Sequence, residues 1–196
     1  MILKKIWISA FLWGGLALGL SASVQADDFI TVSLDVASGG IMDIGLPKPW
    51  GSPTLETSDG VTHIMFGPNG PRKKPIFRAH IAALTANAPI APEALMRLTQ
   101  KEMGEVRELA AESNIPINDV KGENSSGHYF SITDRESKFG EYDYLTVAVV
   151  SSGPLLVKCF FFSNDGAPEF GEDAIRLMES VNYKAPPPPA PDADAS

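Results

Sequence analysis

The sequence contains a single cysteine, Cys159, and far fewer basic than acidic residues. One cysteine cannot form an internal disulfide, so packing must stabilise the fold. The chain has 16 basic and 24 acidic residues, a net charge of −8. This acidic balance disfavours binding to nucleic acid or anionic lipid, because basic side chains must neutralise the phosphate charges. We therefore expect no nucleic-acid partner.

The sequence also lacks the short motifs of common catalytic and cofactor sites. It has no glycine-rich phosphate loop, no nucleophile elbow around a serine, and no pair of histidines or cysteines at the short spacing of metal sites. We predict no catalytic residue, no bound metal and no cofactor.

The longest apolar run is at the N-terminus. Lys4 and Lys5 precede an apolar segment, residues 6–20, and the small residues Val24 and Ala26 follow it. This is the pattern of a secretory signal peptide over residues 1–26, with cleavage after Ala26. The segment is shorter than the roughly 20 residues of a spanning helix. We expect a periplasmic or secreted bacterial protein with no transmembrane span after signal removal, and retention as an anchor is the alternative.

The composition of the two ends of the chain sets the bounds of the predicted globular domain. Removal of residues 1–26 takes away two lysines and no acidic residue, which leaves 14 basic and 24 acidic residues. Residues 27–184 have the length and apolar content of one α+β domain. Residues 185–196, APPPPAPDADAS, are rich in proline and have no apolar periodicity. They predict a disordered tail.

Changes of hydrophobic period divide the domain into strands and helices. ITVSLDV, GIMDIGLPKPW, THIMF and IFRAHIAAL predict strands, and Asn69-Gly70 predicts a hairpin between the last two. Helical spacing extends over residues 91–114, with Pro92 suited to the first turn. HYFSITDRE, YDYLTVAVV and LLVKCFFF predict three further strands, and PEFGEDAIRLMESVNY predicts a closing helix.

The strand LLVKCFFF is apolar on both faces. Leu155, Val157, Cys159 and Phe161 would point one way, and Leu156, Lys158, Phe160 and Phe162 the other. Such a strand lies inside a sheet that is covered on both sides, and the two helices can cover it. We predict an antiparallel sheet flanked by helices, an α/β/α sandwich. Cys159 would be buried and inert, with the Lys158 ammonium at an edge of the sheet.

This order of elements resembles the PsbP-like superfamily, which includes the DcrB-like periplasmic proteins. The resemblance rests on GIMDIGLPKPW with Leu46-Pro47 and Trp50, a strand led by Gly127, the hairpin YLTVAVV and LLVKCFFF, and the ending AIRLMESVNY. It implies an antiparallel sheet between helices. It also implies proteins that bind, assemble or chaperone rather than catalyse, and hence a protein partner in the cell envelope.

Two histidines form a possible pair on neighbouring strands. We expect THIMF and IFRAHIAAL to pair so that His63 lies opposite His80, with the apolar residues of both strands on the other face. Two imidazoles could share a metal if a carboxylate joined them. Arg78 and Met65 on the same face argue against a metal, because a guanidinium opposes a cation.

The run Arg72-Lys73-Lys74 is the densest positive stretch of the mature chain. It lies at the predicted hairpin tip, where a local field could orient an acidic partner or a lipid headgroup. A solvated tip is the alternative.

These features favour an exported, non-catalytic binding, assembly or chaperone-like protein of the bacterial cell envelope. One alternative is a periplasmic hydrolase that uses His63 or His128. Another is a carrier of a small apolar ligand, with a cavity lined by Phe160 and Phe162.

Overall fold

The computed structural model describes residues 29–37, 39–67, 77–137, 142–164 and 168–187. These ranges contain ten β-strands and two α-helices. The strands are β1 (Phe29–Asp35), β2 (Ile41–Pro47), β3 (Thr54–Ser58), β4 (Val61–Phe66), β5 (Phe77–Thr85), β6 (Asn118–Lys121), β7 (Ser126–Thr133), β8 (Tyr144–Ser152), β9 (Leu155–Ser163) and β10 (Asn182–Lys184). The helices are α1 (Pro92–Val106) and α2 (Pro168–Glu179). The predicted signal peptide lies outside the described residues, as does the predicted tail from residue 188 onward.

Seven strands form one antiparallel sheet in the order β3-β4-β5-β9-β8-β7-β6. β9 lies at its centre, between β5 and β8. β8 and β9 form a hairpin in which Ser152 lies opposite Leu155, with Gly153 at a φ of 57° in the turn. Glycine adopts this left-handed conformation readily. The prediction of an antiparallel sheet flanked by helices is confirmed.

A second antiparallel sheet, β1-β2-β10, was not predicted. The closing helix ends at Glu179 rather than continuing to Tyr183, and the next residues pair with β2 as β10. The Ser180 side chain explains this end. Its hydroxyl donates to the Leu177 carbonyl at 2.6 Å and accepts from the Gly45 backbone N–H at 2.6 Å. The chain is thereby tied to β2 where the helix stops.

Other boundaries also differ from the prediction. α1 ends at Val106, and a short 3-10 turn, Arg107–Leu109, follows it. β3 and β6 were not predicted. All five residues of β3 are exposed, so no alternation of apolar residues marks this strand. None of the helices in the described ranges is long and apolar enough to cross a membrane.

The main core fills the space between the large sheet on one side and the small sheet with α2 on the other. Trp50, which is 1% exposed, lies in its centre. Its ring stacks on Phe161 at 5.4 Å between centroids and contacts Phe77 at 4.8 Å. Aromatic rings at these separations add to the free energy gained by burying their area. The Trp50 side chain therefore links the turn after β2 to the large sheet.

An ion pair and a hydrogen bond connect the strands of the small sheet. The Lys184 ammonium of β10 lies 2.6 Å from Asp43 of β2, and the Ser33 hydroxyl of β1 donates to the same carboxylate at 2.7 Å. The hydrogen bond from Lys184, and then that from Ser33, lowers the pKa of Asp43 below its usual value. One carboxylate thus connects all three strands.

The opposite face of the large sheet carries α1. Phe130, Val147 and Ile132 pack against Met103 and Val106 of the helix region, and Val149 and Leu156 pack against Leu95. The face of β9 that carries Val157, Cys159 and Phe161 is buried, as predicted, whereas on the α1 face Leu156 is buried and Lys158, Phe160 and Phe162 are only half-buried. Cys159 is 3% exposed, and burial raises the pKa of its thiol to about 12. A thiol with this pKa is inert at neutral pH.

Lys158 does not reach an edge of the sheet, which corrects the prediction. Its ammonium pairs with the Glu102 carboxylate of α1. The Glu102 side chain is 8% exposed and that of Lys158 is 28% exposed. A buried carboxylate needs a charged or hydrogen-bonded partner, because burial removes its hydration. This pair fixes α1 against the centre of the sheet.

Candidate functional site

One helix cannot cover the face of the large sheet on which it lies. Seven strands about 4.8 Å apart make a sheet about 30 Å wide, whereas a helix with its side chains is about 10 Å across. α1 packs against β7 and β8, and Glu102 extends its contacts to β9. Leu84 of β5 still packs against the cluster that contains Leu95 of α1. None of the described helices lies above the β3 and β4 side chains on this face, above Arg78 and His80 at the other end of β5, or above Phe162. We call this region the open half; its members are Glu56, His63, Met65, Arg78, His80 and Phe162.

The open half brings the two predicted histidines together, but not directly opposite each other. His63 lies opposite Ala82, and His80 lies opposite Met65, so the predicted register is wrong by two residues. The histidines remain diagonal neighbours on one face, with Nδ1 of His63 3.1 Å from Nε2 of His80. The prediction that Ile64, Phe66, Phe77 and Ala79 share the buried opposite face is confirmed.

The two imidazole rings meet edge to edge. Their centroids are 5.3 Å apart, close to the largest separation that a 3.1 Å nitrogen–nitrogen distance permits. One ring therefore donates an N–H to the other, and the two tautomers are coupled. Burial, then the charges of His63 and Arg78, lowers the pKa of His80. The His80 imidazole is therefore uncharged at neutral pH, and it has one nitrogen that donates a hydrogen bond and one that accepts.

A cavity of about 390 Å³ lies beside this pair. Met65, Arg78, His80, Tyr142 and Phe162 line it. Arg78 Nη2 lies 3.5 Å from the Met65 sulfur, a weak acceptor, and the Tyr142 and Phe162 rings are 5.7 Å apart. Burial raises the pKa of Tyr142, an effect that Arg78 opposes. The cavity thus combines apolar walls with one cation and two neutral polar groups.

The histidine pair is a poor metal site as it stands. In the described ranges, no group of three His, Cys, Asp or Glu residues is placed to hold a metal ion. Glu56 lies opposite His63 in the β3–β4 register, but its side chain is exposed and does not complete such a group. The Arg78 guanidinium adds a positive charge where a cation would lie.

His128 lies at the other end of the sheet. Its Nδ1 is 3.2 Å from the Asp119 carboxylate, which also pairs with Lys121 at 2.8 Å. Lys121, more than His128, lowers the pKa of Asp119. Among the described residues no hydroxyl contacts His128. The nearby Ser125 hydroxyl instead bonds to the carbonyl oxygens of Met178 and Glu179, so it holds α2 in place.

The basic run Arg72-Lys73-Lys74 lies outside the described residues. It belongs to the connection between β4 and β5, the two strands that carry most of the open half. Its role in partner binding stays a prediction.

A second cavity, of about 450 Å³, lies on the opposite face between α2 and the strands β7 and β8. Arg176 and Glu172 line it together with the hydroxyls of Ser131 and Thr146, which are 2.8 Å apart. This cavity holds charges of both signs, which distinguishes it from the cavity beside Arg78.

Sequence reasoning identified part of the first cavity. Strand alternation placed His63, Met65, Arg78 and His80 on one face. Tyr142 was missed, because it lies between β7 and β8 and reaches the cavity only through the order of strands in the sheet. No local pattern marks it.

No family model matches this chain, and no curated protein matches it. Fourteen chains of solved structures match. One is LpqN, involved in cell envelope biogenesis of Mycobacterium tuberculosis, with 16% identity, a TM-score of 0.44, and coverage of 80% of this chain and 91% of that chain.

Another is a protein from Bacteroides thetaiotaomicron VPI-5482, solved at 1.50 Å resolution, with 15% identity and a TM-score of 0.39. The match covers 73% of this chain and 45% of that one, so this chain spans less than half of its length. Likenesses at these TM-scores carry no argument about function. Membership of the PsbP-like or DcrB-like families stays a prediction.

Proposed function

We propose that the chain is an exported, non-catalytic binding protein of the bacterial cell envelope, which takes its ligand or protein partner on the open half. The observation that carries this proposal is the cavity beside Arg78. It has a few polar groups among apolar side chains and a volume within the range of small-molecule sites, about 300 to 1,000 Å³. Assembly or chaperone-like roles are forms of the same function, since each needs such an exposed apolar surface.

The envelope location rests on the N-terminal pattern of residues 1–26. Expression of the full chain with its natural N-terminus in a bacterial host, followed by mass spectrometry of the periplasmic fraction, tests it. We expect a mature protein that begins at Asp27. A chain of full mass in the membrane fraction would mean a retained anchor.

A protein partner is the second part of the proposal. The run Arg72-Lys73-Lys74 belongs to the connection between β4 and β5, and we propose that it contributes to docking of an acidic partner. Charge reversal of all three residues should slow association with an acidic partner and reduce its dependence on salt. Charge reversal of Lys101, an exposed residue of α1, is the matched control.

Binding is tested with a neutral aromatic probe, 2-naphthylmethanol, and methionines labelled with ¹³C at the methyl group. Met65 lines the cavity, whereas Met42 and Met178 are fully buried and serve as internal references. We expect the probe to shift the Met65 signal and leave the reference signals unchanged. Phe162→Ala should weaken binding, and Leu109→Ala, which truncates an exposed side chain elsewhere, should not.

An absence of any Met65 shift at millimolar probe would refute binding at the open half. Shifts of the Met42 or Met178 signal on addition of the probe would mean that it binds elsewhere.

The hydrolase alternative is favoured by one contact, that of His128 with Asp119. A histidine oriented by a carboxylate can act as a general base. Turnover of p-nitrophenyl acetate by the wild type, lost in His128→Ala or His63→Ala, would support this alternative. We expect instead that neither variant changes the slow background rate.

The carrier alternative needs a cavity lined by Phe160 and Phe162. Phe162 lines the cavity of the open half, while Phe160 packs against the α1 cluster and stacks near His80. A carrier would therefore hold its ligand in an open cleft rather than an enclosed one.

A further inference from the structure

We propose that the cavity beside Arg78 binds an amphipathic ligand with a flat aromatic body and a single anionic group. This inference rests on the binding function proposed above and names the chemical class of ligand. It follows from the distribution of charge in the open half and from the shape of the cavity walls.

The anionic group is indicated by Arg78. Its side chain is exposed, and its Nη2 lies 3.5 Å from the thioether sulfur of Met65. Among the described residues it has no carboxylate within ion-pair distance. A guanidinium presents five N–H donors in a planar fork that suits a carboxylate or sulfonate. The described residues thus leave the strongest donors of Arg78 available to a ligand.

The other polar groups of the cavity leave this charge uncompensated. His80 and Tyr142 are neutral at neutral pH, since burial lowers the pKa of the first and raises that of the second. Among the described residues that line the cavity, Arg78 therefore carries the one charge, and it is positive in a chain whose net charge is −8. Local fields of this kind select ligands by the sign of their charge. A cation would be repelled, which also argues against a metal ion here.

The aromatic body is indicated by the walls. Phe162 and Tyr142 present two rings tilted by 40° with their centroids 5.7 Å apart, and Met65 closes one side. Aromatic faces and a thioether pack well on a planar ring. The Arg78 backbone lies opposite Phe162 in the β5–β9 register, so the cation and the apolar wall are adjacent. A rigid ligand with its charge at one end fits both.

The cavity between α2 and β7 gives a contrasting case. Glu172 lies beside Arg176 along its wall, so a ligand there meets a carboxylate as well as a guanidinium. No preference for an anion follows for that site. Arg176 is therefore a suitable control residue.

The test uses three probes with the same rings: 2-naphthoate, 2-naphthylmethanol and 2-naphthylmethylammonium. Affinities are measured from the Met65 methyl signal at constant ionic strength. We expect the anion to bind about tenfold more tightly than the alcohol, the usual effect of one exposed charge-assisted hydrogen bond, and the cation to bind more weakly than both.

Arg78→Gln should bring the anion to the affinity of the alcohol, and Arg78→Lys should retain part of the preference. Arg176→Gln should change the affinity of neither the anion nor the alcohol. Arg78 is exposed, so we expect the thermal unfolding of these variants to match that of the wild type.

Equal binding of anion and alcohol to the wild type would overturn this inference and leave the proposed binding function intact. A preference that survives Arg78→Gln would overturn it as well. If none of the three probes shifts Met65, both the inference and the binding function at the open half are refuted.

Discussion

Burial of Cys159 gives a sharp prediction, because its thiol reports on the covering of the β9 face that packs against α2 and the small sheet. The side chain is 3% exposed, and it lies between Ile81 of β5 and Ala148 of β8 in the sheet register. Any loosening of the core between the sheet and α2 would admit water to the sulfur. Reaction with an alkylating reagent requires the thiolate, so both access and ionisation limit the rate.

The magnitude follows from the pKa of about 12 that burial gives this thiol. At pH 8 a thiol with the usual pKa of about 8.5 is about one-quarter thiolate, whereas one with a pKa of 12 is about 10⁻⁴ thiolate. Ionisation alone therefore slows reaction about 2,000-fold relative to the unfolded chain. Exclusion of the reagent slows it further, so that labelling proceeds mainly through transient opening.

The assay is the rate of iodoacetamide incorporation at pH 8, with and without denaturant, followed by mass spectrometry. Cys159→Ala combined with Ser58→Cys gives the matched control, because Ser58 is exposed at the end of β3 and should be labelled quickly in the folded protein. Native labelling of Cys159 within tenfold of its rate in denaturant would show that one face of β9 is not covered.

The same pKa predicts how stability changes with alkaline pH. The folded state keeps the thiol proton while the unfolded chain releases it above about pH 8.5, so unfolding becomes more favourable as pH rises. The stability that the protonated Cys159 thiol contributes is fully present below the pKa of the unfolded chain. It is lost progressively as the pH rises towards the pKa of about 12 in the folded state. Between about pH 8.5 and 12, wild type should lose stability faster than Cys159→Ala by up to about 1.4 kcal/mol per pH unit. Urea unfolding at several pH values measures the difference.

Three further perturbations test the packing. Glu102→Ala leaves the Lys158 ammonium without its carboxylate and should reduce the free energy of unfolding by about 1 to 3 kcal/mol, with most of the loss recovered when Lys158→Met is added. Asp43→Asn should reduce stability more at pH 7 than at pH 3. The pKa of Asp43 is held low by its lysine and serine partners, so its contribution is present above the usual carboxyl pKa and is lost as pH falls through the lowered one. Gly122→Ala should destabilise strongly, because a Cβ there would overlap the backbone at the end of α2; Gly104→Ala on α1 meets open space and should stabilise by up to about 1 kcal/mol. A neutral Gly122→Ala, or an equal loss for Asp43→Asn at both pH values, would contradict this packing.

Strand alternation predicted which residues face the core, because the period of a strand is fixed by its backbone. Ile64 and Phe66 on β4 and Ala79 and Ile81 on β5 are buried as their alternation requires. The β8–β9 hairpin was also predictable. Its connection is only two residues long, and so short a turn fixes the register of both strands.

The register of β4 against β5 was not predictable in the same way. The connection between them spans residues 67–76, which is too long for turn geometry to set the pairing. A slip of two residues leaves every side chain on its own face, so the apolar pattern is equally satisfied by both registers. Only packing elsewhere in the sheet distinguishes them. The face on which each side chain of β4 and β5 lies was therefore predicted correctly, whereas the predicted register between the two strands was wrong.

The small sheet escaped prediction for a different reason. β10 has three residues, and its amino acids continue the helical spacing of α2. It exists because Ser180 ends the helix beside β2, where an unpaired strand edge is available. Both conditions involve β2, which lies more than 130 residues earlier in the chain. Local propensity has no access to such a contact.

The open half follows from the number of helices and the width of the sheet together. The chain has two helices in the described ranges, and α2 shares its face of the sheet with the small sheet. Among the described helices α1 is thus the one on this face of seven strands, and it leaves β3, β4 and the end of β5 that carries Arg78 and His80 uncovered, while Leu84 packs against its cluster. The two-residue offset then decides what this surface contains. In the predicted register Arg78 would lie directly opposite Met65, with its aliphatic stem across that strand. In the observed register Met65 faces His80, and Arg78 lies beyond the end of β4, opposite Phe162 of β9. The guanidinium therefore borders a cavity instead of covering one, so the register determines the ligand chemistry that we propose.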